Sequence, residues 1–317
     1  MIMKMKKLQI ALLFLLTGLT SCYEDYIEDY ETTSAGFAIS NPLRTVISDR
    51  NMSIYVGVSL GGKREVDKTD WAKFTIDESL LNGTGFTLLP SNYYTLGDPE
   101  TFRVRKSTLP VADVEIKFTD AFYADELTHE VHYALPFRVT ESSMDQIREG
   151  GETSVVAIKY ASSFSGTYYL TGNVVELDEA GNPIESTRQS YGDKQDIIKS
   201  PTCVLTTLSK SELIRPGIGD PTTDKKDNLR LTFENNGNFG GNYKVQISTE
   251  KGFRPVEAIT GNYIHKSEEY TFNGNGDVPC PEIALKYIYE MDGKRYQVDE
   301  KLVLRRDPID DLRIETW

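Results

Sequence analysis

The chain has 317 residues, 39% of them hydrophobic and 26% charged, with a formal net charge of −13. That apolar share is enough to build packed cores and excludes a disordered polypeptide, while the length accommodates two domains of roughly 100 to 200 residues each. The acidic balance argues against nucleic acid as a partner.

From the N-terminus, Lys4, Lys6 and Lys7 form a basic start and Leu8 to Leu19 an apolar run, which together read as a secretory leader over residues 1–21. About a dozen apolar residues are too few to cross a bilayer, where roughly 20 are needed. Leu19-Thr20-Ser21-Cys22 supplies the apolar, small, small, Cys order that the bacterial lipoprotein-processing machinery reads. Cys22 is therefore the expected lipidation site, and its two or three acyl chains, at about 0.8 kcal/mol per buried methylene, would anchor the chain durably. Removal of the three leader lysines takes the formal charge from −13 to −16. Residues 22–34 read as an acidic tether, with tyrosines alternating among Glu24, Asp25, Glu28 and Asp29. An acidic run beside a lipidated cysteine resembles the signal by which Bacteroidetes route lipoproteins to the outer face of the outer membrane, so the expected location is the outer membrane, facing the cell exterior.

Apolar and polar residues alternate with period two over residues 52–60, 111–118, 131–139 and 155–160, the pattern of half-buried strands. Helical signals are confined to residues 70–81, which read as containing a helical turn, and to 141–148, where Ser142 and Ser143 are candidate caps. Ala161-Ser162-Ser163-Phe164-Ser165-Gly166 is small and polar and marks a border between an N-terminal domain at 35–161 and a C-terminal domain at 162–317. Strands are predicted again at 167–177, 229–234, 243–248 and 283–290. Asp292-Gly293 supplies the positive φ angles of a tight hairpin turn. Residues 215–228 and 235–242 read as long polar loops, of the kind that carry function.

Cys203 and Cys280 form an even pair in an exported chain, which allows a disulfide, with two buried thiols as the alternative. His129 and His132 lie in a segment read as a strand, so they point to opposite faces and do not form a metal site. Asp307, Asp310, Asp311 and Glu315 read as a solvated tail and Trp317 as either docked or mobile. Asn273-Gly274-Asn275-Gly276-Asp277 alternates oxygen side chains of the kind that hold Ca²⁺, but it lacks a distal bidentate Glu and reads as a turn, so no cofactor is expected. Sugars are gripped by aromatic faces flanked by amides and carboxylates. Aromatics in loop contexts are the candidates: Phe239 with Asn236, Asn238 and Asn242 as the leading platform, then Trp71, Tyr191 and Tyr263. For Trp71, followed by Ala72-Lys73-Phe74-Thr75-Ile76, core packing is the favoured reading.

Phe86-Thr87-Leu88-Leu89-Pro90, Tyr93-Tyr94-Thr95-Leu96, Val114 to Phe118 and Tyr133 to Thr140 resemble, in their order, a known N-terminal domain. It is the domain of unknown function found on Bacteroidetes surface lipoproteins of polysaccharide-utilisation loci and on some chitinase-like endoglycosidases. The second half, through Ser165 to Gly172 and Leu302 to Pro308, resembles the C-terminal domain that often follows it. The expected fold is all-β: an N-terminal immunoglobulin-like β-sandwich and a C-terminal β-sandwich or calycin-like barrel. The resemblance implies non-catalytic capture of polysaccharide beside an outer-membrane importer and its lid lipoprotein. It brings no set of ligand residues with it. A chitinase-like site needs a barrel of alternating strands and helices with a catalytic Glu, and neither pattern is present. A structural adhesin or pilus-related protein and an unrecognised hydrolase are the competing readings.

Overall fold

The computed structural model describes residues 31–63, 66–106, 109–219, 227–235, 241–250, 252–267, 279–310, 312 and 315–317. Cys22, Asn236, Asn238, Phe239 and the 273–277 segment lie outside the described residues. The first run of strands is β1 (Ser34–Gly36), β2 (Pro42–Ile47), β3 (Ser53–Gly61), β4 (Trp71–Ile76), β5 (Thr87–Leu88), β6 (Tyr94–Leu96), β7 (Thr101–Val104), β8 (Val111–Phe118), β9 (Tyr133–Ser142), β10 (Gln146–Ile147) and β11 (Thr153–Ala161). The second is β12 (Gly166–Glu176), β13 (Gln189–Tyr191), β14 (Thr202–Thr207), β15 (Glu212–Pro216), β16 (Asn228–Asn235), β17 (Tyr243–Thr249), β18 (Val256–Ile264), β19 (Glu282–Met291) and β20 (Lys294–Leu304), with β21 (Glu315–Thr316) near the chain end. Two β-domains result.

The first is a mixed 12-stranded sheet in the order β10-β1-β3-β8-β7-β4-β9-β11-β2-β21, with β5 on β9 and β6 on β8. It wraps around one core. Alternation along β3 turns Ile54, Val56, Val58 and Leu60 inward, where they share a core with Phe74, Phe137, Val156 and Ile158 from the opposite half. Phe102 on the bridging strand β7 stacks on Phe74 at 4.4 Å and meets Phe37 edge-on at 5.8 Å. A short helix, α1 (Asp120–Ala124), drops Phe122 and Tyr123 into the same core.

The second sheet closes on itself. Strands β12, β14, β15, β16, β17, β18, β19 and β20 pair antiparallel in succession, and β20 pairs with β12 over Tyr168–Glu176 and Tyr296–Leu304 to seal an eight-stranded barrel. Of the two alternatives for the C-terminal domain, the structure is the barrel. Its interior is filled by side chains such as Tyr168, Leu170, Leu231, Tyr287 and Leu302, all fully buried, as expected for a barrel of this strand number. Asp292 and Gly293 have φ of 55° and 75°, and the β19–β20 hairpin closes over them with Met291 paired to Lys294.

Among the described residues the domains meet through short polar contacts and two salt bridges, one of them from Lys210 Nζ to Asp49 Oδ1 at 3.6 Å. Ser163 N donates to Ser48 Oγ at 3.3 Å, and Arg50 Nη1 lies 2.9 Å from Asp307 Oδ2. Lys210 sits 4.3 Å over the Tyr123 ring. The chain end then returns to the first sheet, where β21 pairs with Pro42 and Leu43 of β2. Trp317 docks there, its ring edge-on to Phe86 at 4.7 Å and its Nε1 donating to Val155 O at 2.8 Å. The acidic end is thus not a solvated tail: Asp307 is held by Arg50 and Glu315 lies in a strand.

Several local expectations are corrected. Residues 141–148 are not helical, because β9 runs on to Ser142 against β4 and Gln146-Ile147 then pairs with β1. Ser143 Oγ donates to Asp70 Oδ1 at 3.2 Å instead of capping a helix. Within 70–81 the helical part is only the 3-10 turn Glu78–Leu81, after strand β4. His129 and His132 are not on a strand, since 126–129 is a 3-10 turn and β9 begins at Tyr133. Arg215, read as the start of a loop, is the fully buried fourth residue of β15. Among the described residues no helix is long and apolar enough to cross a membrane.

Candidate functional site

Among the described residues, a groove of about 210 Å³ in the first domain combines aromatic and charged groups, lined by Arg44, Tyr55, Gly57, Asp113 and Ser154 over an apolar floor that includes Phe37 and Val156. Four distant stretches of sequence make it, residues 37–44, 55–57, 111–113 and 154–156. The 37–41 connection between β1 and β2 is sewn to the β11 side by Phe37 N to Gly151 O at 2.8 Å, Val155 N to Ser40 O at 2.8 Å and Ser154 Oγ to Ile39 O at 3.0 Å. Antiparallel register between β3 and β8 sets Tyr55 opposite Glu115 and Gly57 opposite Asp113. Parallel register between β2 and β11 sets Arg44 beside Ile158.

Each side chain has a local reason to be there. Along β3 the inward positions are Ile54 and Val56, so Tyr55 is turned outward and stays 39% exposed. Its ring is held flat by Arg105, whose Cζ lies 3.7 Å from the ring centroid, a cation–π contact that fixes the aromatic plane. Arg105 is in turn fixed by Asp113, with Nη2 to Oδ2 at 2.7 Å and a second bond from Nε to Oδ1. Gly57 lets β3 approach β8 closely: a Cβ there would lie 2.2 Å from Ala112 O, a separation no side chain can adopt.

Arg44 is different in kind. It shares a strand face with Pro42 and core residue Val46 and is half-buried. Among the described residues no hydrogen bond or ion pair engages its guanidinium. Burial lowers its pKa from the ordinary value, the direction expected when a charge is drawn from water without a counter-charge.

A second cleft, of about 530 Å³, lies where the domains meet and is lined by His129, Lys159, Thr167, Thr206, Thr207 and Pro308 among others. It offers hydroxyls but no ring face, because its Tyr160 is fully packed. Inside the barrel lies a buried polar cluster. Arg215 Nη2 bonds Glu300 Oε2 at 2.8 Å, and Tyr191 OH donates to the same oxygen at 2.8 Å. Burial disfavours the Arg215 charge, but the neighbouring Glu300 carboxylate holds its pKa above the ordinary value.

The sequence candidates fall in separate places. Tyr191 and Tyr263 are only 9% and 4% exposed, and neither offers a sugar-binding face: Tyr191 is committed to Glu300, and Tyr263 packs against Phe164 at 5.0 Å and Phe233 at 5.8 Å. Asn242 and Tyr263 are brought together around His265, whose backbone N donates to Asn242 Oδ1 at 3.1 Å and whose Nδ1 lies 3.3 Å from Tyr263 OH. Trp71 is not core-packed. Ala72 and Phe74 take the inward positions of β4, which leaves Trp71 half-exposed on the outer face with Lys73 Nζ 5.6 Å from its ring. Cys203 and Cys280 are buried thiols without a disulfide between them. Arg44, Tyr55, Asp113 and Ser154 were missed because each reads as an ordinary strand residue. The one available signal was an arginine in step with an inward valine on β2.

A family model described as a "-like, N-terminal domain" matches residues 25–146, the stretch that supplies Arg44, Tyr55 and Asp113. No curated protein matches the chain. Among solved structures, a Bacteroides ovatus protein of unknown function is 19% identical over 91% of this chain and 99% of its own, with a TM-score of 0.67. An auxiliary nutrient binding protein from Bacteroides thetaiotaomicron VPI-5482 is 18% identical over 87% of this chain and 95% of its own, with a TM-score of 0.45. The first likeness shows a shared fold across both domains.

Proposed function

We propose that the protein is a non-catalytic glycan-binding lipoprotein, anchored through Cys22 to the outer membrane and facing outward, which captures polysaccharide for an outer-membrane importer and its lid lipoprotein. The observation that carries this reading is the 39%-exposed Tyr55 ring, braced from one side by Arg105, on the wall of a groove that also carries Arg44, Asp113 and Ser154. An aromatic face beside charged groups is the combination that suits a sugar ring and its hydroxyls. The leader, the tether at 22–34 and the resemblance to surface lipoproteins support the location. Catalysis is a poorer fit. Acid/base cleavage of a glycosidic bond takes two carboxylates on either side of it, whereas the one carboxylate on this groove is already paired with Arg105.

The test is native electrophoresis of the mature chain through gels containing a panel of polysaccharides, with a reducing-sugar assay in parallel. Retardation by at least one polysaccharide, lost in Tyr55→Ala, with no release of reducing ends, is the expected outcome. Unretarded migration in every gel would refute capture, and release of reducing ends would refute the non-catalytic assignment.

A further inference from the structure

We infer that the ligand of the Tyr55 groove is an acidic sugar, one whose carboxylate or sulfate oxyanion is taken by the guanidinium of Arg44. This rests on the groove being the glycan site proposed above and specifies the class of sugar it takes.

Charge complementarity points to such a ligand. Two groups with formal charge line the groove, Arg44 and Asp113. Asp113 is matched by Arg105 through two bonds in a fork-to-fork geometry, so its charge is spoken for. Arg44 is not matched: no described residue offers it a carboxylate or a carbonyl. Another guanidinium stands nearby, since Arg148 donates to the carbonyl of Phe37, a residue of the groove floor. Of the two charged groups on the groove, Arg44 is thus the one without a partner among the described residues.

Arginines drawn out of water normally recover the lost solvation from a carboxylate or from several carbonyls, as Arg215 does in the barrel with Glu300, Gly217 O and Gly219 O. Arg44 is half-buried and has no such partner among the described residues. A planar guanidinium presents paired N–H donors that match two oxygens of a carboxylate or sulfate. With Tyr55 on the same groove, the site has a place for the ring of a sugar and a separate place for its acid group. Neutral sugars would engage only the first.

The inference is tested by calorimetric titration of the mature chain with three oligosaccharide probes: a uronic-acid oligosaccharide, the same oligosaccharide with its carboxyl groups reduced to alcohols, and a sulfated galactan oligosaccharide. The uronate or the sulfated probe, or both, should bind at least about tenfold tighter than the reduced one, and the pair of results tells which oxyanion is used. Arg44→Gln should remove that preference, so that acidic and reduced probes bind alike, and Arg44→Lys, which keeps the charge without the fork, should retain part of it. A thermal melt of each variant, matching that of the unsubstituted chain, guards against loss of fold. Equal affinity for acidic and reduced probes, or a preference that survives in Arg44→Gln, would overturn the acidic-sugar inference and leave glycan capture standing. Failure to bind any probe, together with unretarded migration in every polysaccharide gel, would overturn both.

Discussion

Substituting Glu300 by alanine removes the carboxylate that faces Arg215 inside the barrel, where both side chains have no solvent exposure. Arg215 would keep its bonds to Gly217 O at 2.6 Å and Gly219 O at 2.9 Å, but these are dipoles, not a counter-charge. Leaving a buried charge without its partner costs about 3–5 kcal/mol, and orphaning the Tyr191 hydroxyl adds about 1–3 kcal/mol. Rearrangement of the 217–219 carbonyls toward Arg215 offsets part of that sum, so about 4 kcal/mol is expected, or roughly 10 °C in melting temperature for a domain of this size. Both tryptophans belong to the first domain, Trp71 on β4 and Trp317 against Phe86. Tryptophan fluorescence therefore follows the first domain, and because tyrosines are packed in both cores, the barrel signal is the part of the near-ultraviolet circular dichroism transition that does not coincide with the tryptophan one. The barrel signal should move to lower temperature and lower urea, with the tryptophan signal much less affected. The pair is imperfectly satisfied, since Arg215 Nε and Glu300 Oε1 have no hydrogen-bond partner among the described residues. Replacing Arg215, Glu300 and Tyr191 together by Met, Leu and Phe should therefore recover most of the loss or exceed the original stability. A Glu300→Ala chain less than about 1 kcal/mol weaker, or a triple variant as unstable as the sum of its parts, would refute the reasoning.

Three further outcomes follow from the same structure. Deleting Glu315, Thr316 and Trp317 removes the β21 pairing, the Phe86 contact and the bond to Val155 O, and should lower the stability of the sandwich by about 1–3 kcal/mol in a urea titration read by Trp71 fluorescence; an unchanged midpoint would contradict the docked chain end. At high pH, hydrogen bonding to Asp125 and then burial push Tyr133 up to about 12, and burial raises Tyr168 and Tyr287 well beyond the ordinary value. A folded pKa above the unfolded one gives stability that is complete below pH of about 10 and is lost as pH rises through the folded value, so absorbance at 295 nm should show these tyrosines ionising together with unfolding and not before it. Burial pushes the Cys280 thiol up to about 11, and only thiolates react with disulfide reagents, so Cys203 and Cys280 should stay unlabelled in the native chain at pH 8 and both label in unreduced guanidinium. Absence of label after denaturation would mean a bridge.

The strand grammar of the chain was readable in advance wherever one face is buried. β3, β8 and β11 lie on or near the predicted stretches because alternation there is a direct record of inside and outside. The Asp292-Gly293 hairpin was equally open, since few residue pairs tolerate two positive φ angles in succession. Polar residues in buried positions were the main source of error. Arg215 and Glu300 follow the parity of Leu213 and of Val298 and Leu302, but a charge in sequence suggests solvent, and only barrel closure through β12 and β20 reveals that both point inward. The groove was invisible for another reason. Arg44, Tyr55, Asp113 and Ser154 come together through the β2–β11 and β3–β8 registers, and no spacing along the chain encodes those pairings. Trp71 shows the limit of reading aromatics as core: its neighbours Ala72 and Phe74 claim the inner face, and parity sends the indole outward.

The most direct test of capture at the Tyr55 groove is a glycan-array comparison of the mature chain with its Tyr55→Ala variant, both at high micromolar concentration. The account expects a restricted set of bound glycans for the unsubstituted chain and a blank array for the variant at equal thermal stability. An array blank for both, or an identical pattern for both, would contradict it.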